Sequence, residues 1–211
     1  MISNVLIGPE IYATIFSLVP SSYDENTLWA GSDDGLVHLT QDHGKSWKNI
    51  TPPDMPKDTR ISIIEESKHN PGTIYVAGKR YQMDDRKPYL WKTHDYGKTW
   101  SKIITGIRND DFLHVIREDL KIPGLLYAGG EHEVWVSYND GNSFVFSGED
   151  RNGPLSSDAT IINIFPLDSI NFIVDISNQL FFIKNSNFTN YKDYYGISKG
   201  IFRLDPTITN T

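Results

Sequence analysis

An eight-residue phrase occurs three times: Thr40-Gln41-Asp42-His43-Gly44-Lys45-Ser46-Trp47, Thr93-His94-Asp95-Tyr96-Gly97-Lys98-Thr99-Trp100 and Ser137-Tyr138-Asn139-Asp140-Gly141-Asn142-Ser143-Phe144. The pattern is a hydroxyl, any residue, Asp or Asn, any residue, Gly, any residue, a hydroxyl and an aromatic ring, and it returns after 53 and then 44 residues. Recurrence at such an interval marks repeated supersecondary units. An Asp two residues ahead of a Gly can fold its carboxylate back onto nearby backbone N–H groups, while the Gly supplies the positive φ of a tight reversal. Each phrase therefore predicts a hairpin turn. Trp47, Trp100 and Phe144 open the returning strand, where a large ring can cover the turn and wedge between adjacent units. On this reading Asp42, Asp95 and Asn139, with Gly44, Gly97 and Gly141, make the fold and do no chemistry.

Between the phrases, short apolar runs are broken by Gly, Pro, Asn and Asp with little helical periodicity, which is an all-β pattern. Strands are expected at 12–19, 27–30, 36–39 and 46–50, then at 60–65, 73–77, 89–92 and 99–104, and then at 112–117, 125–128, 134–136 and 143–146. A fourth, divergent set falls at 160–165, 172–175, 179–183 and 200–204 and lacks a turn phrase. Four strands per unit is the signature of a propeller blade. The chain thus divides into blades at 9–51, 58–105, 111–147 and 159–205, with a tail at 206–211. Four blades lie at the lower limit for a closed ring, so the outer faces of the first and last are expected to be bare and to promote self-association.

Composition narrows the function classes. The charge is −7, with acids and bases interspersed and no Lys/Arg-rich stripe, which argues against nucleic acid as a partner. Zero cysteines exclude disulfides, thiolate metal sites and cysteine nucleophiles. No stretch approaches the length of a membrane span, and the opening residues lack the basic n-region and apolar length of a signal peptide. His38, His43, His69, His94, His114 and His132 show no metal-ligand spacing, so no metal or other cofactor is expected. His43 and His94, at variable positions of the phrase, are expected to face solvent. Asn49-Ile50-Thr51 and Asn187-Phe188-Thr189 are formal glycosylation sequons.

The run from Gly8 to Phe16, the run from Leu28 to His38 and the first turn phrase resemble the BNR or Asp-box propellers described as sortilin-like and often labelled glycosyl hydrolase. The segment from Arg80 to Thr93 with its turn phrase, and Val115 to Asp119 with Gly124 to Gly129, extend the resemblance over roughly residues 8–146. It implies a β-propeller, a shortened member or a portion of a longer ring, and an extracytoplasmic setting, although the residues themselves fix no compartment.

In such a propeller the turn phrases lie on the face opposite the ligand-binding loops. The other rim gathers the turns at 31–34, 78–88 and 129–132 and the connectors at 52–59, 106–111 and 148–158. Candidate ligand-binding residues there are Asp33, Asp34, Arg80, Tyr81, Asp84, Asp85, Arg86, Glu131 and His132, alongside Arg108, Asp110 and Asp111. The turn at 79–87 is the longest and most charged, and long loops on a rigid scaffold tend to carry binding residues. The lead expectation is a non-catalytic module that binds a protein, a peptide or a carbohydrate. The runner-up is a xyloglucanase-like or sialidase-like glycoside hydrolase, with Asp34 and Asp85 as the paired carboxylates that glycosidic cleavage requires. The sialidase form suffers from having only seven arginines and no Arg-Ile-Pro segment. A third expectation is a purely structural remnant of a longer enzyme.

Overall fold

In the computed structural model, residues 13–145 are described in full and residue 146 and the strands at 161–166, 171–176, 179–184 and 201–203 in backbone only. The expected connector at 148–158, the loop beyond residue 184, the tail and the residues ahead of Ala13 lie outside the described set. Strands β1 (Ile15–Pro20), β2 (Leu28–Ser32), β3 (Val37–Thr40) and β4 (Lys48–Asn49) form the first antiparallel sheet in chain order. The second holds β5 (Arg60–Glu66), β6 (Ile74–Arg80), β7 (Asp85–Thr93) and β8 (Ser101–Lys102). The third holds β9 (Leu113–Glu118), β10 (Leu126–Gly130), β11 (Val134–Ser137) and β12 (Val145–Phe146), and the fourth β13 (Ile161–Pro166), β14 (Asn171–Ile176), β15 (Gln179–Lys184) and β16 (Ile201–Arg203). The only helical element among the described residues is a 3₁₀ turn, Tyr81–Met83.

All four strands of each expected set are present, but the closing strands of the first three sheets shrink to two residues. The turn phrase explains why. Asp42 accepts hydrogen bonds from the Thr40 hydroxyl (2.8 Å), the Ser46 N–H (2.9 Å) and the Ser46 hydroxyl (2.6 Å), and Thr40 Oγ1 accepts the Gly44 N–H (2.9 Å). Asp95 repeats this with Thr93 and Thr99, and Asn139 with Ser137 and Ser143. Both hydroxyls, the carboxylate or amide and the glycine are therefore spent on the reversal, and ladder pairing begins only after the ring.

A second repeated device sits in the opening strand. Register shifts fall between Ile15 and Ser17, between Ile61 and Ile63, opposite Gly129 and Gly130, and between Ile161 and Asn163. In the first three sheets the residue left out of the ladder is Phe16, Ser62 or His114, and a bulge of this kind bends the strand and re-aims a side chain.

The sheets stack face to face in chain order. Trp29, Val37, Leu39 and Ile50 of the first pack with Ile61, Ile64, Ile74 and Val76 of the second. Tyr75, Ala77, Leu90 and Ile103 of the second pack with Leu113, Ile116, Ala128, Trp135 and Phe144 of the third. Strand β13 then packs against β9 and β10. Carboxylates clamp the stack: Glu66 accepts Trp29 Nε1–H (3.4 Å) and the Ser22 N–H (2.6 Å), and Glu118 likewise accepts the Tyr75 hydroxyl (3.4 Å) and the Lys68 N–H (3.1 Å).

The turn phrases also reach across. Trp100 Nε1 donates to the Ile50 carbonyl at 2.8 Å, the Tyr96 ring stacks on Trp29 at 5.8 Å, and Asp140 takes the Tyr75 hydroxyl (2.8 Å) and pairs with Lys92 (2.7 Å) and His94 (3.0 Å). His94 is exposed, as expected, with Asp140 of the next sheet beside it.

Candidate functional site

The rim opposite the turn phrases is closed tightly at the first sheet. Asp33 accepts the Thr14 N–H at 2.8 Å and donates its own N–H to the Thr14 carbonyl at 3.0 Å, while Asp34 accepts the Ser32 hydroxyl. Both carboxylates serve the turn and the adjoining strand. Asp34 also borders an apolar hollow of about 450 Å³ lined by Ile15, Leu18, Ala30 and Trp47.

At the second sheet the expected long loop is replaced by an extended hairpin. Strand β6 runs on to Arg80 and β7 begins at Asp85, so the tip is only the 3₁₀ turn and Asp84, whose φ of 58° closes it and whose N–H returns to the Tyr81 carbonyl at 3.0 Å. The cause is a cross-strand lock. Asp85 accepts Arg80 Nε–H (3.3 Å), the Tyr89 hydroxyl (2.7 Å) and the Lys87 N–H (3.3 Å), and a guanidinium nitrogen of Arg80 donates to the Lys57 carbonyl of the connector. Partial burial pushes the Asp85 carboxyl up, but the Tyr89 and Lys87 hydrogen bonds and the Lys87 and Arg80 charges outweigh it and hold the group below the usual carboxylate range. Tyr89 moves the other way, to about 12, through burial first and then the Asp85 bond and charge.

At the third sheet Arg108 bridges Asp110 (2.8 Å) and Glu133 (2.9 Å). Asp111 is fully buried, accepting Trp135 Nε1–H (2.7 Å) and the His132 N–H (2.9 Å), and burial pushes its carboxyl up against those bonds. It supports the rim from below.

The remaining rim residues converge. Tyr81, Arg86, Phe112, His114 and Glu131 line a cleft of about 310 Å³ between the second and third sheets. The Tyr81 ring, 41% exposed, lies nearly parallel to the buried Phe112 ring with centroids 5.1 Å apart, and Phe112 abuts His114 at the same distance. The unpaired bulge position delivers His114 to the cleft. Its Nε2 lies 2.8 Å from Glu131 Oε2 and its Nδ1 lies 3.1 Å from Lys79 Nζ, which also sits 5.6 Å from the Tyr81 ring centre. An ammonium can only donate, so His114 is a neutral imidazole with its proton on Nε2, given to Glu131. Burial and then the Lys79 charge push His114 down, against Glu131, and burial and then Arg60 push Lys79 down.

Of the residues expected at the site, Tyr81, Arg86 and Glu131 are brought together. Arg80, Asp84 and Asp85 share the hairpin but are spent on its geometry, His132 gives its N–H to Asp111, and Asp33 and Asp34 stand on another sheet. Asp34 and Asp85, nominated as a hydrolytic pair, belong to different sheets with separate local partners. Lys79, Phe112 and His114 were not anticipated. The usable signal was positional: Lys79 and Glu131 each directly follow the glycine (Gly78, Gly130) that faces the bulge, and opposite charges at like positions of neighbouring sheets point to a contact. Among the described residues no group of three or more metal-ligating side chains is assembled, and no helix is long and apolar enough to cross a membrane.

With this geometry in place, comparisons with other proteins bear on the fold. The Sortilin-Vps10 family model (sortilin, neurotensin receptor 3) matches residues 8–123, just over half of the chain. No curated protein sequence is significantly similar. Among solved structures, YCF48 from Cyanidioschyzon merolae superposes with a TM-score of 0.62 at 20% identity, over 83% of this chain and 54% of that one. YCF48 bound to D1 peptide gives 0.60 at 16% identity, covering 83% and 52%. The GH74 xyloglucanase from Xanthomonas campestris gives 0.62 at 15% identity, covering 89% and 29%. At these identities the likeness is one of fold. The chain spans about half the length of the YCF48 structures and under a third of the xyloglucanase.

Proposed function

The chain belongs to the Sortilin-Vps10 family, and from that footing we propose that it is a non-catalytic propeller module whose second and third sheets together bind an extended protein or peptide segment at the rim. The observation that carries this reading is the Tyr81, Arg86, Phe112, His114 and Glu131 cleft: an exposed ring plate seated on a buried one, an exposed guanidinium, and a polar wall already held in one protonation pattern. Such a surface suits a segment with an apolar or aromatic side chain to lay on Tyr81 and an acidic group to meet Arg86. That YCF48, of like fold, has been captured bound to a peptide supports the same class of partner.

Hydrolysis is the weaker reading. A glycosidase needs one carboxyl kept protonated as the acid, and Asp85 is shifted the opposite way by its hydrogen bonds. A carbohydrate ligand on the Tyr81 plate is the remaining competitor, since a flat exposed ring also suits a sugar face.

Probing a peptide array and a glycan array with the purified chain, with Tyr81→Ala, Arg86→Glu and Asp34→Asn beside it, separates these. Binding of peptides that both cleft variants lose and Asp34→Asn retains is the expected result. Turnover of xyloglucan or chromogenic glycosides that Asp34→Asn or Asp85→Asn abolishes would overturn it in favour of an enzyme.

A further inference from the structure

Resting on the peptide reading above for the source of the group, we propose that Arg60, Lys79 and Arg86 form a phosphoryl-binding site at the edge of the cleft, which takes a phosphate dianion carried on the bound segment as a phosphorylated side chain. Arg60 and Lys79 stand directly opposite each other in the β5–β6 ladder. Side chains so paired share a face, and like charges there repel. The fold does not call for basic residues at this pair. Its counterparts are Thr14 with Asp33 in the first sheet and Phe112 with Glu131 in the third, each joined by a main-chain hydrogen bond of 3.0 Å. Two aromatic faces position the cations without neutralising them. The Arg60 guanidinium carbon lies 3.7 Å from the centre of the Phe16 ring and Lys79 Nζ 5.6 Å from that of Tyr81, and both rings are exposed.

Carboxylates do not neutralise them either. Among the described residues Arg80, Arg108 and Arg117 each grip a carboxylate, whereas Arg60, Lys79 and Arg86 form no ion pair. Lys79 spends a hydrogen bond on the neutral ring of His114, and Arg60 Nε is buried with no acceptor. A buried donor left in that state costs its desolvation. Lys79 reaches Tyr81 and His114, which line the cleft with Arg86, so the three cations adjoin. Glu131 is the acid among the lining residues and already accepts the His114 N–H, while Asp111 beneath is taken by Trp135 and the His132 N–H. Three cations therefore face one carboxylate, an excess of two positive charges in a chain whose net charge is −7. A phosphate monoester carries about −1.5 to −2 at pH 7 and three strong acceptor oxygens, which matches that excess, and a single carboxylate matches half of it. A guanidinium presents its donors in the fork that phosphate accepts, and an aromatic stem on the ester can lie on the Tyr81 plate.

Titration calorimetry of the full chain tests this, with inorganic phosphate and with capped phosphotyrosine, sulfotyrosine and tyrosine as probes. Inorganic phosphate and phosphotyrosine are expected to bind, singly charged sulfotyrosine clearly less tightly, and tyrosine not measurably. Arg60→Gln and Lys79→Gln are each expected to weaken phosphotyrosine at least about tenfold, the loss of one charge-assisted hydrogen bond. Lys45→Gln removes the same charge from an exposed position on the turn-phrase face and is expected to change nothing. Thermal melts show that each variant is folded, and Arg60→Lys, which keeps the charge, is expected to retain part of the binding. Failure of both phosphate probes to bind overturns the proposal, as does sulfotyrosine bound equally well or a loss that Lys45→Gln shares. Peptides held through Tyr81 and Arg86 with no preference for a phosphate, and unchanged in Arg60→Gln, overturn this site and leave the peptide reading standing. Inorganic phosphate held through Arg60 while no peptide is held supports the site, makes the free ion its ligand and removes the peptide reading.

Discussion

Asp42 and Asp95 each hold three hydrogen bonds in their turns, and these bring both carboxyls down to about 2, with Ser46 and Thr99 contributing most. A carboxylate whose folded value lies below its unfolded one stabilises the fold above the unfolded value of about 4, and that stability is lost as pH falls through the folded value. Asn139 does the same mechanical work without a charge, its oxygen accepting from Ser137 and Ser143 and its amide donating to Ser143. Replacing both acids, Asp42→Asn with Asp95→Asn, is thus expected to leave the melting temperature at pH 7 within a few degrees of the parent and to flatten its fall between about pH 4 and pH 2. Thermal melts across that range check this, and an unchanged acid slope would count against it. The glycines of the phrase differ in a way their identity does not disclose. A Cβ on Gly97 would lie 2.7 Å from Ile50 and one on Gly141 2.5 Å from Ile103, both on the preceding sheet, whereas one on Gly44 meets nothing closer than 3.9 Å. Gly97→Ala and Gly141→Ala are expected to lower the melting temperature clearly more than Gly44→Ala, which carries only the cost of its positive φ. Hydroxyl, acid and glycine could be read from sequence because their partners lie within five residues. The variable position before the glycine could not, because Tyr96 and Asp140 answer to Trp29 and to Tyr75, Lys92 and His94 on another sheet.

At the scale of the sheet, the clamp at Glu118 decides how firmly neighbours hold. Its buried carboxylate accepts the Lys68 N–H (3.1 Å), the Gly124 N–H (3.0 Å) and the Tyr75 hydroxyl (3.4 Å). Glu118→Ala removes the acceptor of the Lys68 and Gly124 N–H groups, while the Tyr75 hydroxyl keeps Asp140, and is expected to cost about 2 kcal/mol in chemical denaturation, with Tyr75→Phe costing less. A loss under about 0.5 kcal/mol would show that water replaces the carboxylate. Strand number and order follow from the alternation of apolar runs and turn residues, which are local properties. The extended β6–β7 hairpin did not, because the lock among Arg80, Asp85 and Tyr89 resembles a charged loop when read linearly. For the same reason the cleft was half visible: Tyr81, Arg86 and Glu131 stand in turns that sequence marks as rim, while Phe112 and His114 stand in an apolar segment and reach the rim through proximity of two sheets and a bulge.

At the scale of the whole molecule, one repeated turn sets the spacing of like sheets, their stacking brings two hairpin tips together, and the cleft between the second and third sheets is a product of that spacing. The stack is thus what every other statement rests on. The exposed phrase positions Lys45, Lys98 and Asn142 report on it, and the absence of native cysteine lets spin labels be placed there in pairs. The measurement is the set of three pairwise electron–electron distances between those sites in the full chain, at dilutions where only labels within one copy are read. Sheets related by a common rotation predict equal distances for Lys45 to Lys98 and Lys98 to Asn142, with Lys45 to Asn142 shorter than their sum. Unequal neighbouring distances, or an end-to-end distance equal to the sum, would contradict a propeller built on this repeat.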